Sequence, residues 1–185
     1  MINKRFFEIS LLFILSIVLL SSCAKPPEQE MQAAREAVEN AASAEADLYA
    51  SDLYNMVQDS LSQAETFIAE KKYADARRLA LFAKSFADSA AAMAGINKEQ
   101  MKTSAESIIA DASTKLEALK KAKIPSSMRT KINNEIKVFE ETLLGAKNDF
   151  EAGNYKDAFD KASDVVSRVE EAKKEIVKGT GVVGS

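Results

Sequence analysis

The sequence predicts an all-α protein, an antiparallel bundle of about six helices. Between Glu28 and Ile124 there is no proline and a single glycine, Gly95, so this stretch has almost none of the residues that break helices. Alanine supplies 24 residues of this stretch, and alanine is the best helix former. Apolar residues recur at spacings of three and four, which places them on one side of a helix. No strand-like alternation bounded by turns is present, so the pattern predicts helix throughout.

Composition excludes several classes of site. The chain has no histidine, which removes the commonest general base and metal ligand. Its single cysteine, Cys23, allows neither an intrachain disulfide nor a cysteine-rich zinc site. The formal net charge is -3, without the concentrated basic surface that nucleic acid requires. We therefore expect no cofactor, no metal, no nucleic-acid partner and no enzymatic activity.

The N-terminus has the layout of a secretion signal. A short basic segment ends at Arg5, and an apolar run follows from Ile9 to Leu20, too short for a membrane span. The next residues, Leu20-Ser21-Ser22-Cys23, resemble the lipobox of bacterial lipoproteins. That resemblance implies recognition of Leu20, Ser21 and Ser22 by a signal peptidase, cleavage before Cys23 and acylation of the Cys23 thiol. The alternative is a plain secretory signal with a cysteine there by chance.

These motifs divide the N-terminal region into a signal peptide at residues 1–22 and a lipidated cysteine with its tether at residues 23–27. Ala24 follows the cysteine, and the lack of an acidic residue there resembles the outer-membrane pattern of Gram-negative lipoproteins. Pro26 and Pro27 favour an extended backbone, which predicts a short, stiff tether. We expect a lipid-anchored protein of the cell envelope, on the outer membrane and facing the periplasm.

The helices are expected to form two tandem three-helix units, at residues 28–94 and 97–178. In the first unit, one helix spans Glu28 to Leu48, and a second is capped by Ser51 or Asp52. A third begins at Tyr73. The predicted inner stripes of the first and third helices are Ala33, Ala37, Ala41 and Ala44, and Leu79, Phe82, Phe86, Ala90 and Met93.

Two interpretations fit the junction between the units. Gly95 could end the third helix, with Asn97 and Gln100 forming a capping box for a fourth, or one long kinked helix could join the two units. Pro125 interrupts the helix that follows. The fifth and sixth helices carry regular stripes, Ile132, Ile136, Phe139, Leu143, Ala146 and Phe150, then Tyr155, Ala158, Ala162, Val165, Val169, Ala172 and Ile176. Residues 179–185 are expected to form a flexible tail.

The two units resemble each other in sequence. The segment Leu61 to Ala90 matches Leu143 to Ala172 at a constant offset of 82 residues, so Tyr73 corresponds to Tyr155 and Asp75 to Asp157. The turns before these tyrosines are similar to the inter-helix turn of tetratricopeptide repeats. The period is not that of such repeats, which predicts a helical hairpin of similar geometry and not a repeat array.

Residues 20–94 resemble a family of small envelope lipoproteins of unknown function, in which an alanine-rich helical domain follows the lipobox. The resemblance rests on Cys23, on the alanines 33, 37 and 41, on the junction at residues 48–50 and on residues 73–80. It implies an envelope location and supplies no catalytic residues.

Four side chains are candidates for contact with a partner. Tyr73 and Tyr155 could bind a glycan or peptide, although such tyrosines more often brace helix ends. Arg77 and Arg78 could bind an anionic polymer or lipid head group, although a solvated helix face is the commoner explanation.

Three functions are compatible with these residues. We expect a non-enzymatic lipoprotein that acts as a binding or spacer module for an envelope protein or peptidoglycan. The alternative is a periplasmic carrier or chaperone for an apolar ligand or an outer-membrane client, which would retain its ligand through purification. A cell-wall enzyme would need two carboxylates facing each other across a cleft, and no spacing in the sequence predicts such a pair.

Overall fold

The structure, a computed structural model, describes residues 25–179. Within that range the chain folds into six helices: α1 (Glu28–Ser43), α2 (Ala46–Tyr49), α3 (Ser51–Ala69), α4 (Tyr73–Lys120), α5 (Arg129–Glu151) and α6 (Tyr155–Gly179). These residues contain no strand. The predicted all-α helical bundle is confirmed. The predicted signal peptide and Cys23 lie outside the described residues, as does the predicted tail beyond Gly179.

The chain divides into two compact units, with the boundary between Ala92 and Met93. The first unit contains α1, α2, α3 and the beginning of α4. The second unit contains the remainder of α4 together with α5 and α6. Each unit therefore consists of a helical hairpin and a segment of α4.

One continuous helix occupies the junction where the sequence allowed two interpretations. Gly95 and Asn97 both lie inside α4, so the interpretation as one long helix is confirmed and the alternative, a helix end followed by a capping box, is wrong. A glycine inside a helix costs only about 1 kcal/mol relative to alanine, and the residues on both sides are strong helix formers. The helix ends at Lys120, before the segment that contains Pro125.

The first predicted helix is shorter than expected, because α1 ends at Ser43. Glu45 adopts a left-handed backbone conformation, with φ of 58°, and the single turn α2 follows it. Ala37 and Ala41 are buried as predicted, whereas Ala33 and Ala44 are only half-buried. The cap predicted for the next helix is also wrong, since Ala50 precedes Ser51 and no side chain caps α3.

The segment of α4 in the first unit buries alanines. Its fully buried residues share one face of the helix and are Ala76, Ala80, Ala83, Ala87 and Ala90. The predicted stripe of larger residues is displaced from this face: Leu79, Phe82 and Phe86 are half-buried, and Met93 is exposed. Phe82 and Phe86 stack on each other with ring centroids 4.1 Å apart. Small side chains let two helix backbones approach closely, which explains why the alanines and not the aromatics face inward.

The core of the second unit follows the predicted stripes. Ile132, Ile136, Phe139, Leu143 and Ala146 of α5 are buried. From α6 the buried residues are Ala158, Ala162, Val165, Val169, Ala172 and Ile176. Ala112, Leu116 and Leu119 of α4 complete the same cluster. Phe150 and Tyr155, at the ends of the two stripes, are half-buried.

The two hairpin turns are built alike. After α3 the amide of Lys72 donates to the carbonyl of Phe67 at 2.8 Å, and that of Lys71 to Ile68 at 3.0 Å. After α5 the amide of Asn154 donates to Asp149 at 2.8 Å, and that of Gly153 to Phe150 at 3.1 Å. Both are Schellman motifs, which need a residue with positive φ after the helix. Lys71 (φ 59°) and Gly153 (φ 85°) fill that position and correspond under the offset of 82 residues.

Candidate functional site

A groove of about 500 Å³ lies at the start of the described chain, in the first unit. Two segments distant in sequence form it, namely the tether with the first turn of α1 and the first turns of α4. Its lining residues are Lys25, Pro26, Pro27, Glu30, Tyr73, Ala74 and Arg77. We call this the tether groove. It combines an aromatic ring and two prolines with cationic side chains, a composition suited to binding and not to acid–base chemistry.

An ion pair joins the two sides of the tether groove. Arg77 Nε lies 2.8 Å from Glu30 Oε1. Glu30 is the more enclosed partner, with 21% of its side chain exposed, whereas 65% of the Arg77 side chain is exposed. A partner can therefore reach the guanidinium while Glu30 orients it. Lys25 brings a second cation, so the three charged lining residues sum to one positive charge.

The structure brings together two of the four predicted contact residues. Tyr73 and Arg77 both line the tether groove. Arg78 is not among its lining residues and donates instead to Asp75 of the same helix, at 3.0 Å. Tyr155 belongs to the second unit, where its ring lies 5.3 Å from that of Phe150 and braces the turn between α5 and α6.

Sequence reasoning did not single out Glu30 or Lys25 as site residues. Both lie in segments rich in ordinary charged residues, where a single glutamate or lysine carries no distinguishing signal. Only the packing of α1 beside α4 gives Glu30 its partner. The two prolines did mark the tether as stiff, and the structure places both of them on the wall of the groove.

A second groove, of about 350 Å³, lies in the second unit between α4 and α5. Lys120 crosses it, with Nζ 2.8 Å from Glu117 Oε1 and 2.7 Å from Glu140 Oε1. Hydrogen bonds to both carboxylates raise the pKa of Lys120 above its ordinary value. The same lysine lowers the pKa of Glu117. Lys120 and Glu117 therefore stay charged at neutral pH and supply no proton donor or acceptor near pH 7. The pair between Lys120 and Glu140 joins α4 to α5.

Lys115 links α4 to α6 in a similar way. Its Nζ lies 3.0 Å from Glu170 Oε1 and 3.7 Å from Asp111 Oδ2. The hydrogen bond to Glu170 is the main cause of the raised pKa of Lys115, and it lowers the pKa of Glu170. Exposed pairs of this kind contribute little to the stability of a protein, because solvent screens them.

Two further features of residues 25–179 concern metal binding and the membrane. Among residues 25–179, no group of three or more acidic or cysteine side chains is placed to hold a metal ion. Of the helices in that range, α4 alone is long and apolar enough to cross a membrane, judged by length and composition. Its most apolar window of 18 residues has a mean hydropathy of 1.3, and 28% of that window is buried. A core helix of a soluble protein can pass the same test.

Comparison with known proteins finds similarity to one family. Residues 29–106 match the family model described as "Domain of unknown function (DUF4398)". No curated protein and no solved structure matches the chain. The matched range covers α1, α2, α3 and more than half of α4, and it includes Glu30, Tyr73 and Arg77 of the tether groove. The similarity to this family, whose function is unknown, covers residues 29–106, which is less than half of the chain.

Proposed function

We propose that this protein is a lipid-anchored, non-enzymatic lipoprotein of the cell envelope whose helical body binds another envelope component. The sequence Leu20-Ser21-Ser22-Cys23, directly after a basic segment and an apolar run, carries the proposal. It has the residue types that lipoprotein processing requires, and the chain's only cysteine stands where the acyl chains would be attached. Two or three acyl chains hold a protein on a membrane stably, whereas one alone does not.

The position of the tether groove supports this proposal. Helix α1 begins at Glu28, the fifth residue after Cys23. Five extended residues span at most roughly 17 Å. A groove lined by Lys25, Pro26 and Pro27 is therefore within that distance of an acylated Cys23, and it would meet its partner close to the membrane surface. We propose the outer membrane, on its periplasmic side.

The chemistry of the tether groove favours a partner with a carboxylate or another anionic group beside an apolar or sugar surface. Arg77 offers an exposed guanidinium that Glu30 holds in place, and such a fork suits a carboxylate. Tyr73 and the prolines offer flat apolar contact, as a peptide side chain or a glycan ring requires. An envelope protein and the peptide-bearing glycan of the cell wall both satisfy this description.

The anchor is tested by intact mass spectrometry of protein extracted from membranes. We expect a chain that begins at Cys23 and carries acyl chains. Cys23→Ala is expected to keep residues 1–22, because the peptidase acts on the acylated cysteine. Ser22→Ala is the matched control, since it preserves a small residue at the cleavage site and should be processed normally. An unmodified chain that begins elsewhere would refute the anchor.

The tether groove is tested by chemical cross-linking in cells, followed by recovery of the protein and its attached components. Arg77→Gln is expected to lower recovery of the bound envelope component about tenfold, the effect of removing a central arginine from an interface. Arg35→Gln is the matched control, because Arg35 also bridges two helices of the first unit, with its Nη2 2.8 Å from Glu65 Oε1, but does not line the groove. Equal losses for the two variants would exclude the groove as the contact.

A further inference from the structure

The side of α4 opposite its buried alanines has an unusual composition. It is exposed along its length and, between Arg78 and Glu99 at its ends, carries a single charged residue, Asp88. Its residues are Arg78, Leu81, Ser85, Asp88, Ser89, Ala92, Ile96 and Glu99, which we call the outer face of α4. Leu81 and Ile96 are 49% and 61% exposed, respectively. Two large aliphatic side chains stand in solvent, separated by about four helical turns of mostly small residues.

The second unit shows that its fold does not require such a surface. Under the offset of 82 residues, Ser89, Ala92 and Ile96 correspond to Glu171, Lys174 and Lys178 of α6. Those three positions are charged and exposed, as expected for a solvated helix face. Helix α6 nevertheless packs its own buried stripe fully. The outer face of α4, where Asp88 is the one charged residue between Arg78 and Glu99, therefore has a composition that its core does not require.

The outer face is also symmetric about the midpoint of Asp88 and Ser89. Ser85 and Ala92 are equally far from that midpoint, as are Leu81 and Ile96. The outermost equidistant pair is Arg78 and Glu99, which carry opposite charges. In an antiparallel pair of helices related by a two-fold axis, each residue faces its equidistant counterpart on the other helix.

We propose that the outer face of α4 binds the same face of a second copy of this chain, with the two helices antiparallel. Leu81 then contacts Ile96 of the second copy, and Ser85 contacts Ala92. Because Ser85, Ser89 and Ala92 are small, the two backbones can approach to about 8 Å. At each end Arg78 meets Glu99 of the second copy, so both ends are complementary in charge.

Charge selects this direction over the parallel one. A parallel pair would place Arg78 against Arg78 and Glu99 against Glu99, with repulsion at both ends. In the single chain each of these groups pairs with a surface residue of its own helix. Arg78 Nη2 lies 3.0 Å from Asp75 Oδ1, and Glu99 Oε1 lies 3.8 Å from Lys102 Nζ. Exposed pairs within one helix stabilise little, so exchanging them for contacts between copies costs little.

Beside the two-fold axis, the negative charge of Asp88 is balanced within its own chain. Lys84 Nζ lies 2.8 Å from Asp88 Oδ2. Each copy of Asp88 near the axis is therefore paired with Lys84 of its own chain, which reduces the repulsion between the two carboxylates. Arg78 and Glu99 mark the two ends of the proposed contact, which is therefore limited to the stretch of α4 between them.

Disulfide trapping tests the direction and register of the pairing. Full-length Ser85→Cys and full-length Ala92→Cys, carrying different tags, are produced in one cell and oxidised in place. We expect a heterodimer in about tenfold excess over the Ser85→Cys homodimer, because an antiparallel pair brings Ser85 near Ala92 of the second copy. It leaves the two Ser85 positions about 10 Å apart along the axis, which is too far for a disulfide.

Two controls accompany the trapping experiment. Ser167→Cys replaces Ser85→Cys as the matched control, since Ser167 is the exposed counterpart of Ser85 on α6. The parent chain without an engineered cysteine measures any product formed through Cys23. Equal yields from the Ser167 and Ser85 variants would overturn the proposal. So would homodimers as abundant as the heterodimer, or a product in which Ser85→Cys is joined only to another protein.

Charge reversal gives a second readout, which distinguishes loss of the contact between copies from misfolding of the variant. Adding Arg78→Glu to both tagged chains is expected to lower the heterodimer yield several-fold, because Glu99 of the second copy then meets a like charge. Adding Glu99→Arg to the same chains is expected to restore the yield. A yield that stays low after both changes would refute the predicted charge contact. Neither readout requires acylation of Cys23, so this proposal and the anchor can fail separately.

Discussion

Phe139→Ala is expected to lower the free energy of unfolding by about 3–5 kcal/mol. Phe139 is 1% exposed and is the largest of the fully buried side chains in the second unit. It belongs to the cluster that joins α5 to α4 and α6, so its loss opens a cavity where three helices meet. The guanidinium of Arg168 lies 4.9 Å from the centre of its ring, and that cation–π contact is lost as well.

The measurement is urea-induced unfolding followed by far-ultraviolet circular dichroism. Val138→Ala is the matched control, because Val138 precedes Phe139 in α5 and is 43% exposed. We expect that variant to lose less than about 1 kcal/mol, since the two exposed carbon atoms that it removes contribute little. Equal losses at the two positions would mean that Phe139 does not lie at the centre of a packed core.

Ala87→Leu is expected to lower the free energy of unfolding by about 1–3 kcal/mol, although it adds apolar surface. Ala87 is fully buried in the middle of the alanine face of α4. A leucine at this position adds three carbon atoms to a side chain that lies between closely packed helices of the first unit. The corresponding residue of the second unit is Val169, which is also fully buried, so the two units space their helices for side chains of different size.

Thermal and urea unfolding of Ala87→Leu should be compared with those of Ala110→Leu. Ala110 is an exposed residue of the same helix, so the second variant makes the same chemical change without crowding. We expect the control to stay within about 0.5 kcal/mol of the parent protein. If the two variants were equally stable, the alanine face would have room for a larger side chain, and the close approach of its helices would be disproved.

The second unit was predicted well because its pattern is strong. Along α5 and α6, large apolar residues alternate with charged residues at helical spacing, so only one face can be buried. In α4 that contrast fails. Alanine is common both in the core and on the surface of helices, so its positions do not show which face is buried. The predicted buried stripe therefore followed the larger residues, such as Phe82 and Met93. The first unit instead buries the smaller side chains because its helices pack closely.

Local signals also misjudged the ends of helices. Gly95 is a plausible helix terminator in isolation, yet the chain around it continues as helix, because the cost of one glycine is small beside the cooperativity of the flanking residues. The opposite error occurred at Glu45, where a residue without a turn signature adopts positive φ. The tether groove was anticipated only through Tyr73 and Arg77. Its other wall depends on tertiary packing, for which the sequence of α1 carries no signal.

The cross-helix ion pairs of Lys115 and Lys120 imply that the helical body is insensitive to acidification over a wide range. Their hydrogen bonds move the pKa values of lysine and glutamate further apart, and no histidine titrates between them. Ordinary carboxylates lose their protons by about pH 5, and ordinary lysines keep theirs to about pH 9. The ion pair between Lys115 and Glu170, which joins α4 to α6, therefore keeps both of its charges as its surroundings acidify towards pH 6.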